Sequence, residues 1–93
     1  MSLPVRYLEL DAQLHSLVKD QAVLEGPKAL APGTPLLILA HRHDGSPVSI
    51  DVRAVGSRRI RVEPLTYEVR VRLINLSRDV RQWLESAVGS RSA

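Results

Sequence analysis

The end of the chain changes its hydrophobic period within a few residues, and this constrains the fold more than any other feature. Residues 67–73 alternate between apolar side chains and the charged Glu68, Arg70 and Arg72, as a strand with one buried face does. From Ser77, a good helix N-cap, to Gly89, a good terminator, the period becomes helical. Its apolar positions follow i, i+3, i+4, i+7 spacing, namely Val80, Trp83, Leu84 and Ala87. The pattern predicts a half-buried strand followed directly by an amphipathic helix.

The composition predicts one soluble domain. A chain of 93 residues buries a single core, so we expect one domain over residues 1–93. It has no cysteine, which excludes disulfides and thiolate chemistry and is typical of the cytoplasm. No apolar stretch has membrane-spanning length, and residues 1–4 lack the features of a signal peptide. We therefore expect a cytoplasmic protein without membrane insertion.

The first half of the chain predicts strands, with one ambiguous segment. Residues 3–10 have the pattern of a first strand, and residues 36–55 predict a hairpin that reverses at a Gly and Pro turn. Between them, residues 11–25 fit two structures: a helix capped by Asp11, or two strands that fold at residues 19–20. Periodicity does not separate these alternatives.

The second half continues the pattern of short strands. A turn is predicted at Gly56-Ser57, before a short strand over residues 58–63 that points Ile60 and Val62 inward. Many short strands at close spacing, with Gly and Pro turns between them, favour an all-β fold. We predict a small antiparallel barrel of about six or seven strands, with the C-terminal helix capping an open end or lying across one side.

The order of these elements resembles the PilZ domain, a small bacterial barrel family known for binding cyclic di-GMP. The resemblance spans almost the whole chain and consists of hydrophobic pattern, turns and the change from strand to helix at the end. It is carried by residues 24–27, 30–36, 44–45, 52–56 and 67–77. The resemblance implies a PilZ-like barrel in which residues 11–25 are strands.

The chain departs from the two motifs that hold the nucleotide in PilZ domains. The Arg-x-x-x-Arg motif belongs in the tail before the first strand, but Arg6 is the only arginine before residue 42 and falls inside that strand. The second motif, Asp or Asn followed by x-Ser-x-x-Gly, aligns with Ser16, Val18 and Gln21. Val18 has no hydroxyl, and Gln21 blocks the close approach that glycine permits. The resemblance therefore implies a PilZ-like domain without the usual nucleotide site.

Positive charge is concentrated in residues 53–81, which carry eight arginines against three acidic residues. If the strand over residues 58–63 pairs with the strand that follows it, arginines at alternate positions share a surface. The candidate basic face consists of Arg58, Arg59, Arg61, Arg70 and Arg72. Such a face suits an acidic surface on a partner protein, and it also suits a solvated sheet face that protects an edge. The sequence leaves both interpretations open.

The sequence shows no constellation for catalysis. A nucleophile with a base, a carboxylate pair and a phosphate-binding glycine loop are all missing, so we expect no enzyme and no cofactor. His41 and His43 stand two residues apart on one side of a strand, a spacing that can hold a metal. No third ligand accompanies them, which favours surface histidines.

These observations predict a non-catalytic binding or adaptor module of bacterial signalling with a protein partner that the sequence does not identify. One alternative is a cyclic di-GMP receptor with a rearranged site built from Arg6 and arginines of residues 53–72, Arg53 among them. A second is a basic barrel that binds single-stranded nucleic acid. The three aromatic residues of the chain supply few platforms for base stacking, so nucleic acid is the less favoured partner.

Overall fold

The computed structural model describes residues 2–88. The strands are β1 (Leu3–Tyr7), β2 (Leu10–Val18), β3 (Gln21–Gly26), β4 (Pro35–His41), β5 (Pro47–Val62) and β6 (Leu65–Leu73), and the helix is α1 (Arg78–Val88). All pairings are antiparallel, and the six strands close into a barrel in the order β1-β2-β3-β6-β5-β4. The prediction of a small all-β barrel with one C-terminal helix is confirmed, with six strands.

Aliphatic side chains from alternate strand positions fill the barrel interior. In the β4–β5 hairpin, which the sequence predicted, Leu36 lies opposite Val52 and Ile38 opposite Ile50, and all four are buried. Full burial of a side chain of this size stabilises a fold by about 1.5–3 kcal/mol. The outward positions of β5 are polar here, whereas those of β4 include Leu37, which is exposed, and Leu39, which is half-buried. This alternation fixes the register, because a slip of one residue would turn every apolar side chain outward.

The ambiguous residues 11–25 form strands, so the helical alternative is wrong. Leu14 of β2 lies opposite Leu24 of β3, and neither has any exposed surface. The ambiguity has a structural cause at Ser16, whose φ of +58° accompanies a bulge between His15 and Val18. The bulge buries Leu17 three residues after Leu14, which is a helical spacing produced inside a strand.

Residues 3–10, which the sequence predicts as one strand, do not all belong to a single strand. β1 ends at Tyr7, the chain turns at residues 8–9, and Leu10 already belongs to β2. Leu8 and Glu9 both have positive φ values, of 51° and 63°, as the central residues of a tight hairpin turn do. Tyr7 is buried, and Leu8 is exposed because it stands at the tip of the turn.

The predicted turn at Gly56-Ser57 is wrong, because β5 continues without a break through 16 residues to Val62. Irregularities in the β5–β6 pairing occur between Ala54 and Gly56 and again between Arg59 and Arg61. The chain reverses at residues 63–64, and β6 begins at Leu65. Ile60 and Val62, which were expected to point inward, are 38% and 67% exposed, since this end of β5 extends beyond the barrel core.

The helix follows the prediction closely within the described residues. The Ser77 hydroxyl accepts a hydrogen bond from the Val80 N–H at 3.2 Å, which is the geometry of an N-cap. Leu84 and Val88 are buried. The Cζ atom of Arg42 lies over the ring of Trp83, 5.6 Å from the ring centroid. Gly89, the predicted terminator, lies outside the described residues. Within residues 2–88 no helix has the length and hydropathy needed to span a membrane.

Replacing Ser77 with alanine is expected to lower the free energy of unfolding by about 1 kcal/mol, because the first turn of α1 loses a side-chain acceptor. Ser86, exposed within the same helix, supplies the matched control. Ser86→Ala should be neutral or slightly stabilising, since alanine is the better helix former. Urea denaturation of both variants measures the difference, and equal destabilisation would show that Ser77 does not act as a cap.

Candidate binding surface

The pairing of β5 with β6 places five arginines on one outer surface of the barrel. Arg53 lies directly opposite Arg72. Arg70, between the buried Val69 and Val71, is aligned with Gly56. Further along the hairpin, Arg58 lies opposite Glu68 and Arg61 opposite Thr66. Positions on one side of paired strands share a face. We call this surface the arginine face, and its members are Arg53, Arg58, Arg61, Arg70 and Arg72.

The structure groups the predicted basic residues differently from the sequence pattern. The arginine face includes four of the five predicted residues, namely Arg58, Arg61, Arg70 and Arg72. It also includes Arg53. Arg59 is paired with Tyr67, which shares the side of the buried Val69, so Arg59 lies on the opposite face. Simple alternation would have given Arg61 the same side as Arg59. The irregularity between Arg59 and Arg61 moves Arg61 to the arginine face.

The arginine face is only partly neutralised. Glu68 Oε1 lies 3.1 Å from Arg58 Nη2, and Asp20 Oδ2 lies 3.6 Å from Arg72 Nε. Arg53 Nη1 donates to the Gly33 carbonyl at 3.0 Å and has no acidic partner among residues 2–88. Arg70 likewise forms no ion pair within the described part of the chain. Two of the five arginines have a carboxylate within ion-pair distance in the described part of the chain, and this excess of arginines attracts anions.

Arg70 occupies the centre of the arginine face and lines two grooves. The first, of about 310 Å³, is bordered by Gly56, Ser57, Arg58 and Glu68. Gly56 lines it without a side chain, and a Cβ there would lie 3.5 Å from Arg70 Nη2. The second groove, of about 400 Å³, runs beside the β2–β3 turn. The guanidinium of Arg70 is therefore accessible from both sides of its strand.

The three positions aligned with the second nucleotide motif line or border this second groove. Ser16 stands at the β2 bulge, Val18 is 56% exposed, and Gln21 lies opposite Arg72. The groove is lined by Ser16, Val18, Lys19, Asp20, Gln21, Ala22, Val23 and Arg70. The aligned positions thus lie beside the arginine face, but their side chains present one hydroxyl and one amide to it.

Arg6 lies apart from the arginine face. It forms an ion pair with Asp11 at 3.6 Å and donates to the Glu9 carbonyl at 2.7 Å. β4 separates its strand from β5, and Arg6 is aligned with Leu39 whereas Arg53 is aligned with Pro35. Arg6 and Arg53 are thus separated by a strand and by four positions along it. The structure does not bring Arg6 and Arg53 together.

A hydrogen-bonded cluster at His15 was not predicted from the sequence. His15 Nε2 lies 2.7 Å from Glu25 Oε2, and His15 Nδ1 lies 2.7 Å from Ser16 Oγ. In the neutral ring, Nε2 donates to the carboxylate and Nδ1 accepts from the hydroxyl. His15 and Glu25 face one another diagonally across β2 and β3, a relation visible only once the register is known. The cluster braces the bulge that Ser16 introduces.

The two histidines with metal-ligand spacing stand at the edge of a different groove. His41 and His43 are exposed and line it with Arg42 and Trp83. Within residues 2–88, no group of three or more histidine, aspartate or glutamate side chains is placed to hold a metal ion. Their neighbour Asp44 accepts hydrogen bonds from the Ser46 hydroxyl and N–H, which lower the pKa of its carboxyl group. That carboxylate stabilises the β4–β5 turn.

Comparison of the chain with protein-family models, with curated proteins and with solved structures gives no significant match.

Proposed function

We propose that the chain is a non-catalytic binding module whose arginine face receives an acidic surface of a partner protein. In this proposal the barrel is PilZ-like and serves as an adaptor in bacterial, cyclic di-GMP-related signalling in the cytoplasm, without holding the nucleotide in the manner of that family. The observation that carries the proposal is the register of β5 and β6. It places Arg53 directly opposite Arg72 and next to Arg70, which forms no ion pair in the described part of the chain.

The energetics of the arginine face support a binding role. Like charges directly opposite each other on paired strands are destabilising, so the Arg53–Arg72 pair does not benefit the isolated barrel. The negative charge of an acidic partner would offset this repulsion and attract both arginines. Exposed charges of this kind accelerate association and select complementary partners, and salt screens their effect. Binding of this type requires no enclosed pocket, in keeping with the open grooves on either side of Arg70.

Reversing one charge at the centre of the face tests the proposal. Arg70→Glu is expected to weaken binding of a fluorescent polyglutamate peptide about tenfold, which corresponds to about 1.4 kcal/mol. Arg78→Glu is the matched control, because Arg78 is also an exposed arginine and its reversal changes the net charge equally. Its effect should stay within about twofold, since Arg78 belongs to α1 and lies outside the β5–β6 pairing that builds the arginine face. Fluorescence anisotropy measures both affinities.

Equal losses in the two variants would show attraction to net charge alone and would contradict a specific arginine face. Two further measurements test the alternative functions. Saturable calorimetric binding of cyclic di-GMP that disappears in Arg6→Ala would establish a rearranged nucleotide site instead. Tighter binding of single-stranded DNA than of polyglutamate, with a steep dependence on salt, would favour the nucleic-acid alternative.

A further inference from the structure

β5 extends well beyond the strand that covers its outer edge. The last residue of β5 paired with β4 is Arg53, opposite Pro35, although β5 continues to Val62. The segment before β4 covers the next positions. Ala54 exchanges backbone hydrogen bonds with residues 33–34 at 2.7 and 2.9 Å, and the Ser57 hydroxyl bonds to both the N–H and the carbonyl of Leu30 at 2.9 and 2.7 Å. The backbone edge is thus paired at Ala54, and the segment before β4 stays in contact with β5 as far as the Ser57 side chain.

Beyond Ser57, β5 is paired on one side only. Residues 58–62 are paired with β6, and within residues 2–88 no loop or strand supplies backbone hydrogen bonds to their other side. We call residues 58–62 the open edge. A row of unpaired N–H and carbonyl groups is a template for another extended segment. A partner in the extended conformation can therefore add to the sheet here.

The side chains of the open edge define the chemistry of such a segment. Three of its five residues are arginines, at positions 58, 59 and 61, on the two faces of the strand. The other two, Ile60 and Val62, are exposed apolar residues, and Leu65 opposite Val62 is 44% exposed. A complementary strand therefore carries acidic side chains on both faces and apolar side chains near the end of the hairpin.

We propose that the open edge receives an extended acidic segment of the partner protein, which pairs with β5 as an additional strand. The inference rests on the proposed function and specifies how the partner docks. Charge complementarity favours this occupant over a second copy of the chain. Two copies joined at this edge would bring two sets of three arginines together, and like charges across paired strands are destabilising.

Selective backbone methylation tests the proposal. The probe is an extended peptide of about six residues, one strand in length, with consecutive glutamates at one end, so that both faces carry acid, and valines at the end that meets Ile60 and Val62. A strand added to an edge turns the N–H groups of every second residue toward the sheet. Two further peptides carry N-methyl groups at the odd or at the even positions. We expect one of them to lose at least about tenfold in affinity while the other stays within about threefold, since only one set of N–H groups is used.

Hydrogen exchange supplies a second readout on the protein itself. Bound peptide should slow exchange at amides within residues 58–62 and leave the amides of α1 unchanged. The charge variant Arg59→Glu/Arg61→Glu should abolish this protection, whereas Arg78→Glu should preserve it.

The possible outcomes separate this inference from the proposed function. Equal binding of both methylated peptides, with affinity still lost in Arg70→Glu, would overturn strand addition and leave the arginine face standing. If polyglutamate binds and the glutamate-valine peptide does not, strand addition would likewise be overturned while the arginine face remains supported. Loss of all binding to acidic peptides would overturn both proposals. A dimer that forms through residues 58–62, or preferential binding to vesicles of anionic lipid, would replace the acidic segment with a different occupant and contradict the inference.

Discussion

Gly26→Ala is expected to destabilise the barrel by about 1–3 kcal/mol, because a methyl group has no space there. A Cβ at Gly26 would lie 2.5 Å from Cε1 and 2.6 Å from the hydroxyl oxygen of Tyr7. The ring cannot easily withdraw. Its hydroxyl donates to the Lys28 carbonyl at 2.8 Å and accepts from the Lys28 N–H at 2.9 Å, and Tyr7 is only 1% exposed. Burial also raises the pKa of Tyr7, so the phenol keeps its donor proton.

Gly56→Ala is the matched control for this substitution. Both glycines lie in strands and lack positive φ values, so the change in backbone entropy is comparable. At Gly56 the added Cβ would meet only the flexible end of Arg70 at 3.5 Å, an ordinary contact. Urea denaturation should therefore separate the two variants by at least about 1 kcal/mol. Equal stability would mean that the Tyr7 ring does not cover Gly26 as described.

Leu24→Ala is expected to have an even larger effect, lowering the free energy of unfolding by about 2–5 kcal/mol. Leu24 has no exposed surface and lies opposite Leu14, in the part of the chain whose conformation the sequence left open. Truncation removes transfer free energy and leaves a cavity among side chains fixed by the surrounding strands.

Leu37→Ala is the control for the core truncation, because Leu37 is 53% exposed on β4. The same chemical change there should cost less than about 0.5 kcal/mol. Thermal and urea unfolding compare the two variants directly. A similar loss of stability in both would contradict the burial pattern of β3 and, with it, the closure of the barrel through the β3–β6 pairing.

The strands were predictable where apolar residues alternate with polar ones under a steady period of two. The first half of β5 and most of β6 follow that pattern, and their burial matches it. β4 is an apolar run that the sequence predicts to be buried on both faces at its start, but Leu37 is exposed and only alternate residues of the strand are buried. β2 was ambiguous because its bulge at Ser16 inserts a step of three between Leu14 and Leu17. Only the pairing with β1 and β3, which joins distant parts of the chain, selects the strand.

β5 contains a second feature that the sequence alone did not predict. Gly56-Ser57 has the composition of a turn, yet the pairing with β6 keeps both residues extended. Gly56 lines a groove beside Arg70 and does not have a positive φ. The Ser57 hydroxyl contributes to the strand as well, by bonding to the Leu30 backbone. Turn composition and edge protection use the same residue types, so only the partner contacts distinguish them.

The arginine face was predictable in composition and only partly in arrangement. Alternation correctly groups Arg70 with Arg72 on the outer side of β6. It cannot place Arg59 and Arg61 on different faces, because the irregularity between them depends on how β5 is paired. The same dependence hides the contact of His15 with Glu25, which comes from the register of two strands.

A titration of polyglutamate peptide into isotope-labelled protein, followed through the NMR signals of the arginine side-chain Nε–H groups, tests the arginine face most directly. We expect saturable shifts at Arg58, Arg70 and Arg72 that weaken as salt is added, while the signals of Arg6 and Arg78 stay in place. Shifts of equal size at every exposed arginine, or saturable shifts confined to Arg6, would contradict a binding surface built by the pairing of β5 with β6.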